Sequence, residues 1–321
     1  MSTKNDVLSA LMAEPGGISG ERLARRLNLS RNSVWKAIGQ LRNEGYQIEA
    51  ATNRGYRLVS APDRVSEPEI RKWLKTEAIG ARMELHESMD SSNTRAKAVA
   101  ATGAPHGYLV IAESQSQGRG RFGRAFFSPE HSGVYISYVL RPTLPAEQAV
   151  MLTSMAAVAV ARAIETVANV DVKIKWVNDL YINARKTCGI LCEASMDFES
   201  GQLEYAVLGI GVNVAAMTFP PELSDIATSI VNECGQPVSR SRLIAEISNQ
   251  LEALYPQLAT GEFMAESRAR SNVIGRDVTV LRGNEQFPAH VLDIDEQGRL
   301  VIQTEGGVSH VGSGEISVKW R

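Results

Sequence analysis

Gln115 to Ser128 is the stretch around which the rest of the chain is organised. Within it, Gly118-Arg119-Gly120-Arg121-Phe122-Gly123-Arg124 places three glycines and three arginines in seven residues, with no acid among them. It reads as a loop delivered by an apolar strand, Tyr108 to Glu113. Arginine supplies forked, permanently charged donors suited to carboxylates and phosphates. Glycine lets a ligand approach the backbone N–H groups closely. Two readings fit these residues: a loop built to hold a dense anion, and a flexible basic loop that touches nucleic acid or nothing.

The 321 residues allow two or three domains with well-buried cores. No apolar run approaches bilayer-spanning length, and the polar Met1 to Asp6 start does not resemble a signal peptide. Cys188, Cys192 and Cys234 cannot form a disulfide framework, so a cytoplasmic location is expected. Cys188 and Cys192 have the spacing of a metal pair, but no second pair or His cluster accompanies them, and packing thiols are the better reading. Net charge is −2, unevenly spread: residues 1–60 hold nine Lys/Arg against five Asp/Glu. A basic module therefore precedes an acidic body.

In that module the spacing predicts helices over 5–13, from the Ser19 cap to Leu27, and from the Ser30 cap through Arg31 to Glu44. Val34, Ile38 and Leu41 turn inward, leaving Arg31, Asn32, Ser33, Trp35 and Lys36 on the early outer face. A hairpin follows, turning at Thr52-Asn53-Arg54-Gly55. Together these form a winged helix-turn-helix with Arg54 at the wing tip, the alternative being a three-helix interaction module without DNA. In the DNA reading Arg31, Lys36 and Arg54 meet phosphates or base edges, while Asn32 and Ser33 suit base readout.

Residues 61–68, with Pro62 and Pro68, read as a linker. Residues 69–270 alternate strand and helix signals, among them an Ala-rich helix from Ala146 to Val167, two strands within Lys173 to Glu193, and a helix from Arg240 to Leu258. Residues 271–321 read as short strands around turns at Gly283-Asn284, Glu296-Gln297-Gly298 and Gly306-Gly307, a small β-barrel. The class is α+β, with some antiparallel pairing expected.

Lys175-Trp176-Val177-Asn178-Asp179-Leu180 and Lys186-Thr187-Cys188-Gly189-Ile190-Leu191 flank an expected two-residue turn at Asn183-Ala184. That turn pairs Lys186 with Tyr181 and sets Asp179 one step away on the same face. A Lys and an Asp so placed can activate a carboxylate; a surface ion pair fits the spacing equally well.

These motifs, in this order, resemble the bifunctional biotin protein ligase and biotin operon repressor family. The likeness runs through Ser19-Gly20-Glu21 to Leu41, Asp90-Ser91-Ser92-Asn93, the Gly118 to Arg124 loop, Lys175 to Leu180, Lys186 to Leu191, Gly209-Ile210-Gly211-Val212-Asn213 and Gly314-Glu315-Ile316-Ser317. It implies a winged helix-turn-helix, a central mixed α/β domain of the biotin/lipoate ligase type and a C-terminal SH3-like barrel. It also implies two reactions. Biotin's carboxylate attacks the α-phosphate of ATP with Mg²⁺, giving biotinyl-5′-AMP and pyrophosphate. A lysine of the biotin carboxyl carrier protein then takes the biotin.

By matching position, the resemblance implies that Ser91, Ser92, Asn93 and Gln115 recognise the biotin ring. Gly118, Arg119, Gly120 and Arg121 close over biotin and the adenylate, and Lys186 bridges carboxylate and phosphate. Asp179 serves the incoming lysine, Asn178 and Asn213 face the nucleotide, and Arg124 meets ATP or pyrophosphate. Val177 stands where the family usually has Pro, and Phe126, on the ATP side, where Trp is frequent. Ala227-Thr228-Ser229 replaces a segment where some members set a Trp against adenine. The implied partners are carrier protein, operator DNA and, with biotinyl-AMP bound, a second copy of the chain. Two rivals remain: a biotin-sensing repressor without catalysis, and an acyl-adenylate ligase for lipoate.

Overall fold

The structure is a computed structural model describing residues 2–51, 55–145, 148–196, 199, 201–282, 285–312 and 315–318. It divides into two compact units, Met1–Trp73 with Ser239–Arg242, and Leu74–Val238 with Leu243–Arg321.

In the first unit, α1 (Thr3–Met12), α2 (Gly20–Leu27) and α3 (Arg31–Asn43) begin at Ser2, Ser19 and Ser30, whose hydroxyls accept from backbone N–H groups of the first turn. Asn28, with φ 53°, ends α2 in the left-handed region. Val7, Leu11, Leu23, Val34, Ile38 and Leu41 form the core. Strands β1 (Gln47–Ala51) and β2 (Gly55–Ser60) pair antiparallel as the wing, and Ile18 adds a bridge to Tyr56. The winged helix-turn-helix expected from the caps is the fold found. A short helix, α4 (Glu67–Arg71), follows, capped by the Ser66 hydroxyl.

In the second unit, β3 (Met83–His86), α5 (Ser92–Ala101), β4 (Tyr108–Ala112), β5 (Gly133–Leu140) and α6 (Ala149–Val167) come first. Strands β6 (Lys173–Lys175), β7 (Asp179–Ile182), β8 (Arg185–Met196) and β9 (Leu203–Asn213) follow. They build one sheet of order β3-β4-β5-β9-β8-β7-β6, parallel only between β3 and β4. Lys173 to Glu193 thus supplies three strands where two were expected, because the chain reverses between Lys175 and Asp179 as well as at Asn183-Ala184. Helix α5 packs on β4, β5 and β9, and α6 on β6, β7 and β8.

By length and composition α6 would cross a bilayer, contrary to the reading that no run does, but most of it is buried in the protein and it is a core helix. Helices α7 (Ile230–Cys234), α8 (Arg240–Leu254) and α9 (Met264–Ala269) complete the helical part. The stretch Tyr255–Leu258, expected as α-helix, is 3₁₀. Strands β10 (Asp277–Arg282), β11 (Glu285–Ile294), β12 (Leu300–Thr304), β13 (Gly307–Val311) and β14 (Glu315–Val318) form an antiparallel sheet of order β13-β12-β11-β10-β14. This is the small SH3-like barrel. Arg54, the Gly283-Asn284 turn and Gly314 lie outside the described residues.

Candidate active site

A cavity of about 470 Å³ opens over β7, β8 and β9 beneath the Gly/Arg loop. The loop closes on itself: Phe126 N donates to Gly118 O at 2.8 Å and Gly120 N to Arg124 O at 2.7 Å. Its base is fastened by Gln115 N to Ser128 O at 3.1 Å. Arg121 reaches across and donates to Asn178 Oδ1 at 3.2 Å, and its guanidinium lies 4.9 Å from the exposed Phe122 ring.

On the cavity floor the two-residue hairpin between β7 and β8 sets the reactive pair. Asn183 and Ala184 have φ of 48° and 67°, the turn geometry that suits the twist of paired strands. Tyr181 then pairs with Lys186, as expected from the spacing, and Lys186 Nζ lies 2.6 Å from Asp179 Oδ1. Both side chains are partly buried, and both line the cavity.

At the other end a polar network joins the ring-recognition candidates. Ser92 N donates to Gln115 Oε1 at 2.8 Å, and Gln115 Nε2 to Ser128 Oγ at 2.9 Å. The buried Ser137 hydroxyl lies 2.6 Å from Asn93 Oδ1 and 2.8 Å from Ser92 Oγ. Asn93 Nδ2 donates to Glu193 Oε2 at 2.9 Å. Gly209 makes room for this: a Cβ there would stand 2.0 Å from Asn93 Oδ1. Burial pushes the Glu193 carboxyl up, but hydrogen bonds from Lys97 and Asn93 and the charges of Lys97 and Arg119 outweigh it, holding it below the usual range. Arg119 lies 3.7 Å from Glu193.

Between the two ends Phe126 lies on a floor without side chains, since a Cβ at Gly211 would stand 2.6 Å from its ring. A third wall is apolar. Phe127 and Phe219 lie 6.4 Å apart, and Phe219, Leu223 and the exposed Ile226 border the cavity. Asn213 also lines it, its amide donating to Thr228 O at 3.1 Å.

The sequence-expected Ser91, Ser92, Asn93, Gln115, Arg119, Gly120, Arg121, Arg124, Phe126, Asn178, Asp179, Lys186 and Asn213 all line this one cavity. Gly118 is not among the lining residues; it serves the loop, where a Cβ would stand 2.3 Å from Phe126 O. Sequence reasoning missed Glu193, Ser137, Phe127, Phe219, Leu223 and Ile226. Glu193 had a signal, as an acid directly after the apolar run Ile190-Leu191-Cys192; the others had none.

Among the described residues no group of three His, Cys, Asp or Glu is arranged to hold a metal ion. Cys188 and Cys192 are free cysteines on β8. Burial pushes both thiols up, that of Cys192 to about 12, which disfavours the thiolate a metal needs.

In the first unit Asn32, Trp35 and Lys36 are exposed on the early turns of α3, Trp35 at 64%. Arg31 is exposed but bridged to Glu21 at 2.9 Å, and the Ser33 hydroxyl lies 2.8 Å from Ser30 Oγ in the helix cap.

A lysine–carboxylate pair under an arginine-bearing glycine loop, on this mixed sheet, defines the biotin/lipoate ligase class. The Biotin/lipoate A/B protein ligase family model matches residues 85–213, an HTH domain residues 3–57, and the Biotin protein ligase C terminal domain residues 273–319. The Bacillus subtilis bifunctional ligase/repressor BirA is 38% identical over 99% of both chains. Its Escherichia coli counterpart is 28% identical over 97% of this chain and 96% of its own. The solved biotin protein ligase from Aquifex aeolicus in complex with biotin and ATP is 25% identical, with TM-score 0.64 over 74% of this chain and 99% of that one. This chain belongs to the bifunctional biotin protein ligase/repressor family, the family its motifs resemble.

Proposed function

We propose that this protein is an ATP-dependent biotin–[biotin carboxyl-carrier protein] ligase that also represses transcription, with biotinyl-5′-AMP as corepressor. One observation carries the reading: the Lys186–Asp179 pair at 2.6 Å faces the same cavity as Arg121, which Asn178 holds at 3.2 Å. A biotin sensor without catalysis has no use for phosphate-binding arginines beside such a pair.

A carboxylate is a poor acylating agent, so the site must hold two anions together and stabilise the charge that builds between them. Ser91, Ser92, Asn93 and Gln115 hold the ureido ring, and their mutual bonds keep these donors and acceptors in place before biotin arrives. The acyl chain runs beside Phe126, whose ring covers the glycine floor. Lys186, Arg119 and Arg121 neutralise the biotin carboxylate and the α-phosphate as a carboxylate oxygen bonds to phosphorus and pyrophosphate leaves. Arg124 meets the departing phosphates. Asn178 and Asn213 border the nucleotide, and adenine takes the apolar wall of Phe127, Phe219, Leu223 and Ile226. Magnesium, brought with ATP, would supply further neutralisation of the phosphate charge beside Lys186, Arg119 and Arg121.

In the second step the carrier lysine's nitrogen attacks the acyl carbon, AMP departs with its electron pair, and Asp179 takes the lysine's proton. Closure of the Gly/Arg loop keeps the mixed anhydride from water.

Functionally the chain divides into residues 1–60 for DNA, a linker at 61–68, the catalytic part at 69–270 and the barrel at 271–321. Asn32 and Trp35 read the major groove, Lys36 meets a phosphate, Ser33 supports the helix cap, and Arg31 exchanges Glu21 for a phosphate. Arg54 contacts the backbone from the wing. A cytoplasmic homodimer formed with biotinyl-AMP bound would present two such helices to a palindromic operator.

The test is transfer of labelled biotin to a carrier domain with ATP and Mg²⁺, followed by a gel shift on promoter DNA with the same preparation. Transfer and a biotin- and ATP-dependent shift are expected. A shift with biotin alone and no transfer would give the case to the sensor, and transfer of lipoate in place of biotin to the lipoate ligase.

A further inference from the structure

Trp176 is buried at 5% exposure, and its indole N–H donates to Gly298 O in the C-terminal barrel at 2.9 Å. Packing alone would be served by Phe; the indole adds one directed bond. The acceptor is rigid. The turn of residues 295–299 is held by Gly298 N to Asp295 O at 2.9 Å and by Asp295 Oδ1, which accepts from Gln297 N at 3.0 Å and Arg299 N at 2.8 Å.

Gly298 has φ +74°, and an added Cβ would stand 3.3 Å from Ser154 Oγ, so that carbonyl is aimed by a residue that tolerates little change. The same stretch is tied again by Ile174 N to Arg270 O at 2.9 Å and Asn272 N to Ile174 O at 3.1 Å. On the other side of Trp176, two residues on, Asn178 exchanges bonds with Ile190 at 2.9 and 3.0 Å and offers Oδ1 to Arg121.

We infer that Trp176 is a positioning residue through which the barrel's Gly298 turn sets Asn178, and through Asn178 the Arg121 guanidinium, for adenylation. The barrel is thereby part of the ligase machinery without touching the reacting atoms. The ring-recognition network lies on α5, β5, β8 and the Gln115–Ser128 base of the loop, at the other end of the cavity, so the two respond separately. The inference rests on the ligase reading.

The test uses the full chain with Trp176→Phe, Gly298→Ala and the double variant, reading single-turnover biotinyl-AMP formation, the KM for biotin and thermal unfolding. Trp176→Phe is expected to slow adenylation about tenfold, the scale of one lost buried hydrogen bond. The KM for biotin is expected to stay within about twofold. Gly298→Ala should give the same split, and the double variant should be no slower than the slower single.

Adenylation by Trp176→Phe within twofold of wild type would overturn the inference. So would equal losses in adenylation and biotin KM, or effects that multiply in the double variant. Should Gly298→Ala not fold, the split in Trp176→Phe alone decides. A wild-type protein that forms no adenylate would sink the ligase reading itself.

Discussion

Lys186→Ala removes one ammonium from a place where two anions meet, and its cost divides unequally between stability and rate. Lys186 and Asp179 have side chains 33% and 21% exposed. Exposed pairs contribute about 0.2–1 kcal/mol, and breaking a fully buried pair costs about 3–5 kcal/mol. Partial exposure puts this pair between them, near 1–2 kcal/mol, or a melting shift of a few degrees for a chain this size. The rate is hit harder. A charged donor aimed at charge that develops in the transition state is worth about 3–4 kcal/mol, roughly a hundred- to a thousandfold in adenylation. Quenched-flow formation of labelled biotinyl-AMP measures the rate, and calorimetry the stability. Adding Asp179→Ala removes the orphaned carboxylate, so the double variant should regain stability without regaining rate. Adenylation by Lys186→Ala within tenfold of wild type, or recovered rate in the double variant, would refute the reasoning.

Glu193→Gln should lower the melting temperature at pH 7. A carboxyl held below its usual range stabilises the fold above that range, and the benefit is lost as pH falls through the folded value. The gap to wild type should therefore close as pH drops below about 4, and a gap constant from pH 7 to 3 would count against the Glu193 network. Ala184→Gly should stabilise the protein by about 0.5–1 kcal/mol in denaturant titrations, because Ala184 sits at φ 67° where glycine is at ease; a loss of stability would contradict the turn geometry. Lys36→Ala should lower the salt slope of operator binding by about one phosphate contact, whereas Trp35→Ala should weaken operator binding with the slope unchanged. Gel shifts across a salt series separate them, and equal slopes in wild type and Lys36→Ala would remove Lys36 from the phosphate contacts.

What the sequence made legible was local. Serine caps marked the second and third helices of the first unit, and a two-residue turn brought Asp179 and Lys186 together. The Gly/Arg loop was recognised before any geometry, as were the ring-recognition residues through their family motif. What stayed hidden depends on distant partners. Asn93 and Glu193 are 100 positions apart, and Trp176 and Gly298 122, so no window of sequence contains both ends of either contact. Phe219, Leu223 and Ile226 carry no period, because a loop wall needs only apolar bulk at the right height. Strand β6 is three residues long, too short to show alternation. Arg31 was read as a ready contact, and only the fold revealed that Glu21 already holds it.

The Asn183-Ala184 hairpin has an evolutionary consequence. Side chains alternate across a strand, so inserting or deleting a single residue in that turn would send Lys186 to the opposite side of the sheet while leaving its sequence motif unaltered. The turn can change its letters but not its length by one. Among descendants of this chain, substitutions there should keep to residues at ease at positive φ, such as Gly, Asn and Asp, and indels should come in pairs or not at all.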